Sequence, residues 1–464
     1  MIQGNKLHLT VITLIAAMGG FLFGFDMAVI SGAITLVQAQ FGLSAVQEGW
    51  FVSSALIGCI TGVAISGEVS DRTGRRFTMM IAGLLFFISA IGTAAAPDFG
   101  FLITARLLGG MAVGIASNVV PLYISEIAPA QIRGRLVTCY QLAITVGILL
   151  SYISNAWLLN LSETASGFFT QELFSFILVD EPWRAMFGIE TLPALIFLAG
   201  LFVIPESPRW LMQRNRHHEA ESVLIKFIGK ENARKSLTEI KETLLEVQGS
   251  YRDLLKPGLR VALLIGILLP VFSQFSGINA IIYYGPRILN EAGLDLTTAM
   301  QSQILLGFAN MLFTFIAVWK VDSLGRRPLY LVGTAGAMIC LIITGYFFYV
   351  GNTGSVFLLL TVVAFLGFFA FSIGPLKFVI ASEIFPNRIR GRALALSIMA
   401  MWIADTIVGQ ITPMMLASGG AAFTFWFFAI FCAIAFIFIF KMVPETKGKS
   451  LEEIQKLWLI KETE

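Results

Sequence analysis

The 464-residue chain is 56% hydrophobic and 13% charged, with a mean hydropathy of +0.80. Soluble domains carry about 25% charged residues, so the composition excludes a soluble fold and points to a polytopic membrane protein. A net charge of +3 gives no reason to expect a nucleic-acid partner.

In chain order, twelve apolar runs reach the roughly 20 residues a bilayer crossing needs. They are 9–31, 50–70, 78–96, 101–122, 135–156, 185–204, 260–284, 300–320, 329–350, 356–381, 393–415 and 421–442. The first lacks an A-x-A cleavage pattern and reads as an anchored helix, not a signal peptide. It carries Asp26, and the fourth run carries Arg106. If the first helix ends near Ser31 and the fourth starts near Phe101, each charge sits about five residues, roughly 7–8 Å, below the outer surface. Equal depth predicts an ion pair, the usual fate of intramembrane charges. A permanent structural bridge and a proton-responsive one both fit.

Polar amides interrupt other runs: Gln141 in the fifth, Gln274 and Asn279 in the seventh, Asn310 in the eighth. Lipid penalises such groups, so they face protein or a water-filled cavity. On a regular helix Gln274 and Asn279 lie about 140° apart. Ser276-Gly277 between them is expected to loosen the backbone and bring both amides to one cavity, as in the broken helices of transporters. The alternative is amides that merely join helices. Lys377 and Asp405 are further intramembrane charges; snorkelling of the lysine to the cytoplasmic side or mutual pairing accounts for them, and capture of a carboxylate-bearing solute is the sharper alternative.

Lys and Arg crowd alternate loops: Arg72, Arg75 and Arg76; Arg133 and Arg135; 205–258; Arg326 and Arg327; Arg388, Arg390 and Arg392; and the tail. The stretches 32–49, 97–100, 157–183, 285–299, 351–355 and 416–420 offer only Arg287, so both termini are expected in the cytoplasm. Two halves repeat. SEIAPAQIRGR, with Glu126 and Arg133, returns as SEIFPNRIRGR, with Glu383 and Arg390. DRTGRR, with Asp71, Arg75 and Arg76, returns as DSLGRR, with Asp322, Arg326 and Arg327. Pro205-Glu206-Ser and Pro444-Glu445-Thr close the halves. The expected fold is all-α and membrane-embedded, with twelve transmembrane helices in two six-helix bundles. The bundles are placed at 1–204 and 258–442, around a helical cytoplasmic linker at 205–257 and before a tail at 443–464. Acids and arginines at the cytoplasmic helix ends are expected to form a gate, since several pairs together can bias a two-state equilibrium that one surface pair cannot.

Cys59, Cys139, Cys340 and Cys432 are scattered singly, with neither disulfide nor metal spacing. The three histidines, His8, His217 and His218, lie outside the apolar runs or at their edge, so no intramembrane nucleophile has a base. An enzyme is not expected, and neither is a metal or other cofactor. A sensor built on such a membrane scaffold would need a longer signalling tail.

The motifs GEVSDRTGRR, PESPRW, QFSGINAIIYY, VDSLGRR, PETKG and the two E-x6-R segments together resemble those of the sugar porter family of the major facilitator superfamily, most closely bacterial xylose–proton symporters. The resemblance spans essentially the whole chain. It implies a monosaccharide as substrate and a proton as coupling ion, moved by alternating access across the cell membrane, by a protein functional as a monomer in the lipid bilayer. It implies sugar-binding roles for Gln141, Gln274, Asn279, Asn310, Trp402 and Gly374, with Phe23 and Tyr283 walling or gating the site. Phe378 stands where relatives place a Trp, and Ser273 where they often have a second Gln. The acid at Asp26, paired with Arg106, implies proton coupling. A facilitative uniporter, or a symporter of a polyol or acidic sugar, is the alternative.

Overall fold

The computed structural model describes residues 6–129, 132–164, 175–245, 251–256, 259–291, 293–353 and 356–446. The tail from 447 and the side chain of Asp322 lie outside the described residues. No strand occurs among the described residues. Long apolar stretches with few internal breakers leave the helix as the structure that satisfies every backbone group without water. The chain divides into two compact units, Met1–Leu36 with Ser54–Glu246 and Val37–Ser53 with Val247–Glu464.

The helices of the first half are α1 (Lys6–Phe41), α2 (Ala45–Thr73), α3 (Arg75–Ala94), α4 (Phe99–Ile127) and α5 (Arg133–Thr164). The sixth span is made of α6 (Pro182–Gly188) and α7 (Thr191–Leu201). Helix α1 runs ten residues past the expected end at Ser31. Residues such as Gly32, Thr35 and Gln38 read as a loop, but Ala33, Ile34 and Val37 between them are fully buried. Packing there outweighs local polarity.

Helix α2 meets α4 through glycine. A Cβ on Gly110 would stand 1.8 Å from the Ala55 carbonyl oxygen, and one on Gly58 would stand 2.3 Å from that of Leu107. Backbones this close need small residues at the crossing. Gly110→Val is therefore expected to lower the thermal unfolding midpoint of detergent-purified protein by several degrees, whereas Gly134→Ala, where a Cβ meets nothing within 4 Å, leaves it in place.

The linker forms α8 (Pro208–Gln213), α9 (His217–Ile228) and α10 (Lys230–Leu245). Trp210, Leu211, Met212 and Ala220 make its core, against Val223, Leu237 and Ile240. Trp210 Nε1 donates to the Asp71 carbonyl at 3.0 Å, and Arg214 donates to the carbonyls of Asp71 and Arg72 at 3.0 and 2.8 Å. The linker thereby satisfies carbonyls that the end of α2 leaves open.

The second half holds α11 (Leu259–Phe275), α12 (Ile278–Glu291), α13 (Leu296–Leu324), α14 (Arg326–Tyr349), α15 (Val356–Phe368), α16 (Gly374–Ile384) and α17 (Asn387–Met442). Eleven helical segments among the described residues are long and apolar enough to cross a membrane. The last, Ile389–Met442, has 54 residues, about 81 Å at 1.5 Å per residue, against roughly 30 Å of hydrocarbon. It turns at Gly420 (φ 74°) and supplies two crossings, for a total of twelve. Residues 37–53 join this unit through a buried Glu48–Arg287 ion pair and through Gln410, which accepts from Ser53 Oγ at 2.8 Å and donates to the Val46 carbonyl at 3.0 Å.

Candidate functional site

In the first unit, Asp26 of α1 and Arg106 of α4 form a buried ion pair, with Nη1 2.7 Å from Oδ1 and side chains 3% and 2% exposed. The two partners do not lie at equal distances from the end of α1 and the start of α4. Asp26 lies fifteen residues, about 22 Å, before the end of α1, not five. The pair forms because both side chains face the same interior seam. Arg106 also reaches the Asp26 carbonyl at 3.4 Å and lies over the Phe187 ring at 5.5 Å.

One residue of this site escaped the sequence reading. Glu190, at the junction of α6 and α7, is 3% exposed and lies within electrostatic range of both Asp26 and Arg106. Asp26 Oδ2 and Glu190 Oε1 are buried with no hydrogen-bond partner among the described residues. Two buried carboxylates thus lie in the field of one guanidinium, which only Asp26 touches. With both ionised, the set carries a net negative charge in a dry interior, which is costly; one added proton makes it neutral. The available clue was a lone acid within the sixth apolar run.

Phe23 stands one turn before Asp26 and is half-buried. Gln141, on α5, is exposed, and its amide bonds to no described residue.

In the second unit the chain breaks between α11 and α12, where Gly277 takes φ 84°. That conformation suits glycine and is strained for a residue with a Cβ. Across the break Asn279 Nδ2 donates to Gln274 Oε1 at 2.9 Å, so the two amides meet despite their helical phase. Asn279 Nδ2 also donates to Asp405 Oδ1 at 2.7 Å, and the Tyr283 hydroxyl donates to Asp405 Oδ2 at 3.1 Å. Trp402, one turn earlier on α17, is 2% exposed. Asn310, on α13, is half-buried and makes no hydrogen bond to a described residue. Gly374 opens α16 after a π-helical stretch at Phe369–Ile373, a loosened turn with Pro375 behind it. Phe378 follows on the same helix and is half-buried.

Lys377 does not snorkel. It is 7% exposed, its Nζ donates to Ser273 Oγ at 2.9 Å, and the rings of Phe378 and Phe369 lie 5.3 and 5.9 Å away. Asp405 lies within its electrostatic range. The two departures at Ser273 and Phe378 are therefore neighbours in space, with the lysine ammonium between them.

The charges at the helix ends repeat in each unit. Arg75 grips Glu126 with Nε and Nη2 at 3.0 and 3.2 Å and reaches Asp71 at 3.2 Å. Arg326 grips Glu383 at 3.2 and 3.1 Å. Glu206 accepts from the backbone N–H groups of Arg75 and Arg76, and Glu445 from those of Arg326 and Arg327, each acid capping a helix start. Burial pushes the Glu206 carboxyl above its ordinary value, against the pull of these N–H groups and Arg75. Arg76 and Arg327 donate onward to the carbonyls of Leu201 and Phe440.

Each of these contacts is made inside one unit. The acids also pair differently from the spacing of the E-x6-R motif. Arg390 donates to the Phe385 carbonyl instead of to Glu383, and Arg133 is exposed and bonds neither to Glu126 nor to any other described residue.

Residues 12–458 match the sugar (and other) transporter family. The chain belongs to that family. This sugar transporter is 41% identical over 445 residues to the arabinose-proton symporter of Bacillus subtilis (strain 168), covering 96% of this chain and 94% of the relative. It is 40% identical over 489 residues to the D-xylose-proton symporter of Escherichia coli (strain K12), covering 98% and 97%. A partially occluded inward open conformation of the E. coli xylose transporter matches with a TM-score of 0.83 at 37% identity, over 96% of this chain and 100% of that one. The sugar transporter accordingly has the major facilitator fold, a multi-pass membrane architecture.

Proposed function

We propose that this protein is a proton-coupled monosaccharide symporter working by alternating access. The observation that carries the coupling is the Asp26–Arg106–Glu190 set, a buried ion pair with a second buried carboxylate in electrostatic range and two unbonded oxygens. Such a set accepts one proton without stranding a charge. Three of the relatives are named for proton symport of arabinose, xylose or galactose. Gln274, Asn279, Asn310 and Gln141 supply amides for sugar hydroxyls, and Trp402, Phe23, Tyr283 and Phe378 supply apolar surface for the ring. Gly374, at the start of α16, is assigned to the same site. The clusters around Arg75–Glu126 and Arg326–Glu383, with Arg133, Arg390 and Asp322, act at the cytoplasmic gate. Halves at 1–204 and 258–442 move about the site, both termini lie in the cytoplasm, and the monomer is the working unit in the bilayer.

The test is radiolabelled uptake in a transport-deficient host, across pentoses, hexoses and polyols. Uptake of at least one neutral monosaccharide is expected to rise with an inward pH gradient and to collapse with a protonophore. Uptake indifferent to both would make the protein a uniporter.

A further inference from the structure

The second unit contains an ionic feature that sugar recognition by neutral amides does not require. Asp405 is 2% exposed, and both its oxygens accept hydrogen bonds, one from Asn279 and one from Tyr283. A carboxylate only accepts, so the nitrogen end of the Asn279 amide has to face it. The second hydrogen of that nitrogen goes to Gln274 Oε1. Asn279 then has no donor left and offers only its Oδ1. Gln274 is turned the other way and offers its two Nε2 hydrogens. Lys377, held by Ser273, supplies the compensating charge.

We propose that Asp405 is a positioning residue: its carboxylate fixes which end of each amide in the Asn279–Gln274 pair meets the sugar. One sugar hydroxyl then donates to Asn279 and another accepts from Gln274. This rests on the sugar-binding reading above. It also favours a neutral ligand, because the Asp405 carboxylate lies within electrostatic range of the Lys377 charge and offsets it. Without a carboxylate at 405, the nearly isosteric ends of both amides can exchange and the distinction disappears.

Deoxy and deoxyfluoro analogues of D-xylose and D-glucose read this directly, since fluorine cannot donate a hydrogen bond. Inhibition constants are measured against uptake of the parent sugar, with size-exclusion profiles confirming the fold of each variant. At one hydroxyl, fluorination is expected to cost the wild type as much as deletion, about tenfold, the ratio expected from one hydrogen bond. At another, fluorine is expected to be tolerated better than hydrogen. Asp405→Glu retains this contrast. Asp405→Asn reduces it to less than about threefold at both positions. Because that change strands the Lys377 ammonium, the double variant Lys377→Met/Asp405→Asn is measured beside it and is expected to behave alike. A folded, transporting double variant with the wild-type contrast would overturn the proposal. If the wild type recognises no neutral monosaccharide, the sugar-binding reading itself fails and the proposal falls with it. Inhibition by D-glucuronate stronger than by D-glucose would also overturn it.

Discussion

Replacing Asp26 with Asn is expected to abolish sugar accumulation while leaving sugar exchange intact. One proton moving down a potential of about 100 mV releases roughly 2.3 kcal/mol, which sustains an accumulation of about fifty-fold at 1.4 kcal/mol per tenfold. Asparagine preserves the size of the side chain and can still accept from Arg106 Nη1, now 2.7 Å from Oδ1. It cannot take up a proton in this pH range. Exchange of internal for external sugar needs only the loaded carrier to reorient, so counterflow should persist. Its rate should lose the pH dependence of the wild type. Accumulation should fall from tens-fold to about one-fold, measured with radiolabelled sugar in energised membrane vesicles. If Asp26→Asn still accumulates sugar while Glu190→Gln does not, Glu190 carries the proton and Asp26 only holds the arginine. If both variants accumulate normally, the Asp26–Arg106–Glu190 set does not couple transport.

The sequence exposed those parts of the site that break a pattern within their own segment. Gln274 and Asn279 stand out in an apolar run, and the glycine between them announced the break that brings them within 2.9 Å. Repetition of acid and arginine motifs marked the charged clusters at the helix ends. Their partners were less legible, because the motif places Glu126 near Arg133 in sequence whereas α3 brings Arg75 to it in space. Spacing along a chain says which residues share a helix end, not which neighbouring helix arrives there. Glu190 and Asp405 show the same limit. Each is a single acid in an apolar run, and only the packing of α1, α4 and α12 tells whether its partner is a cation, an amide or another acid. Ser273 and Lys377 lie 104 residues apart and were separate oddities until the structure joined them at 2.9 Å.

Arg106→Met should be the most damaging single change in the first unit. Removing one partner of a buried ion pair typically costs about 3–5 kcal/mol, because the other charge remains in a medium that cannot solvate it. Here the removal strands two carboxylates, Asp26 and Glu190, and also empties the position over the Phe187 ring. Purified Arg106→Met protein should unfold several degrees below the wild type at neutral pH. If uncompensated charge is the cause, acidification should narrow the gap, since protonated carboxyls need no cation. By the same logic Asp26→Asn/Arg106→Met should be more stable than Arg106→Met alone, and adding Glu190→Gln should recover more still. Stepwise recovery as the acids are removed identifies Arg106 as the common counterion of both. An equal, pH-independent loss in all three variants would instead assign its contribution to packing against Phe187, and the carboxylates would no longer qualify as a charge-balanced set awaiting one proton.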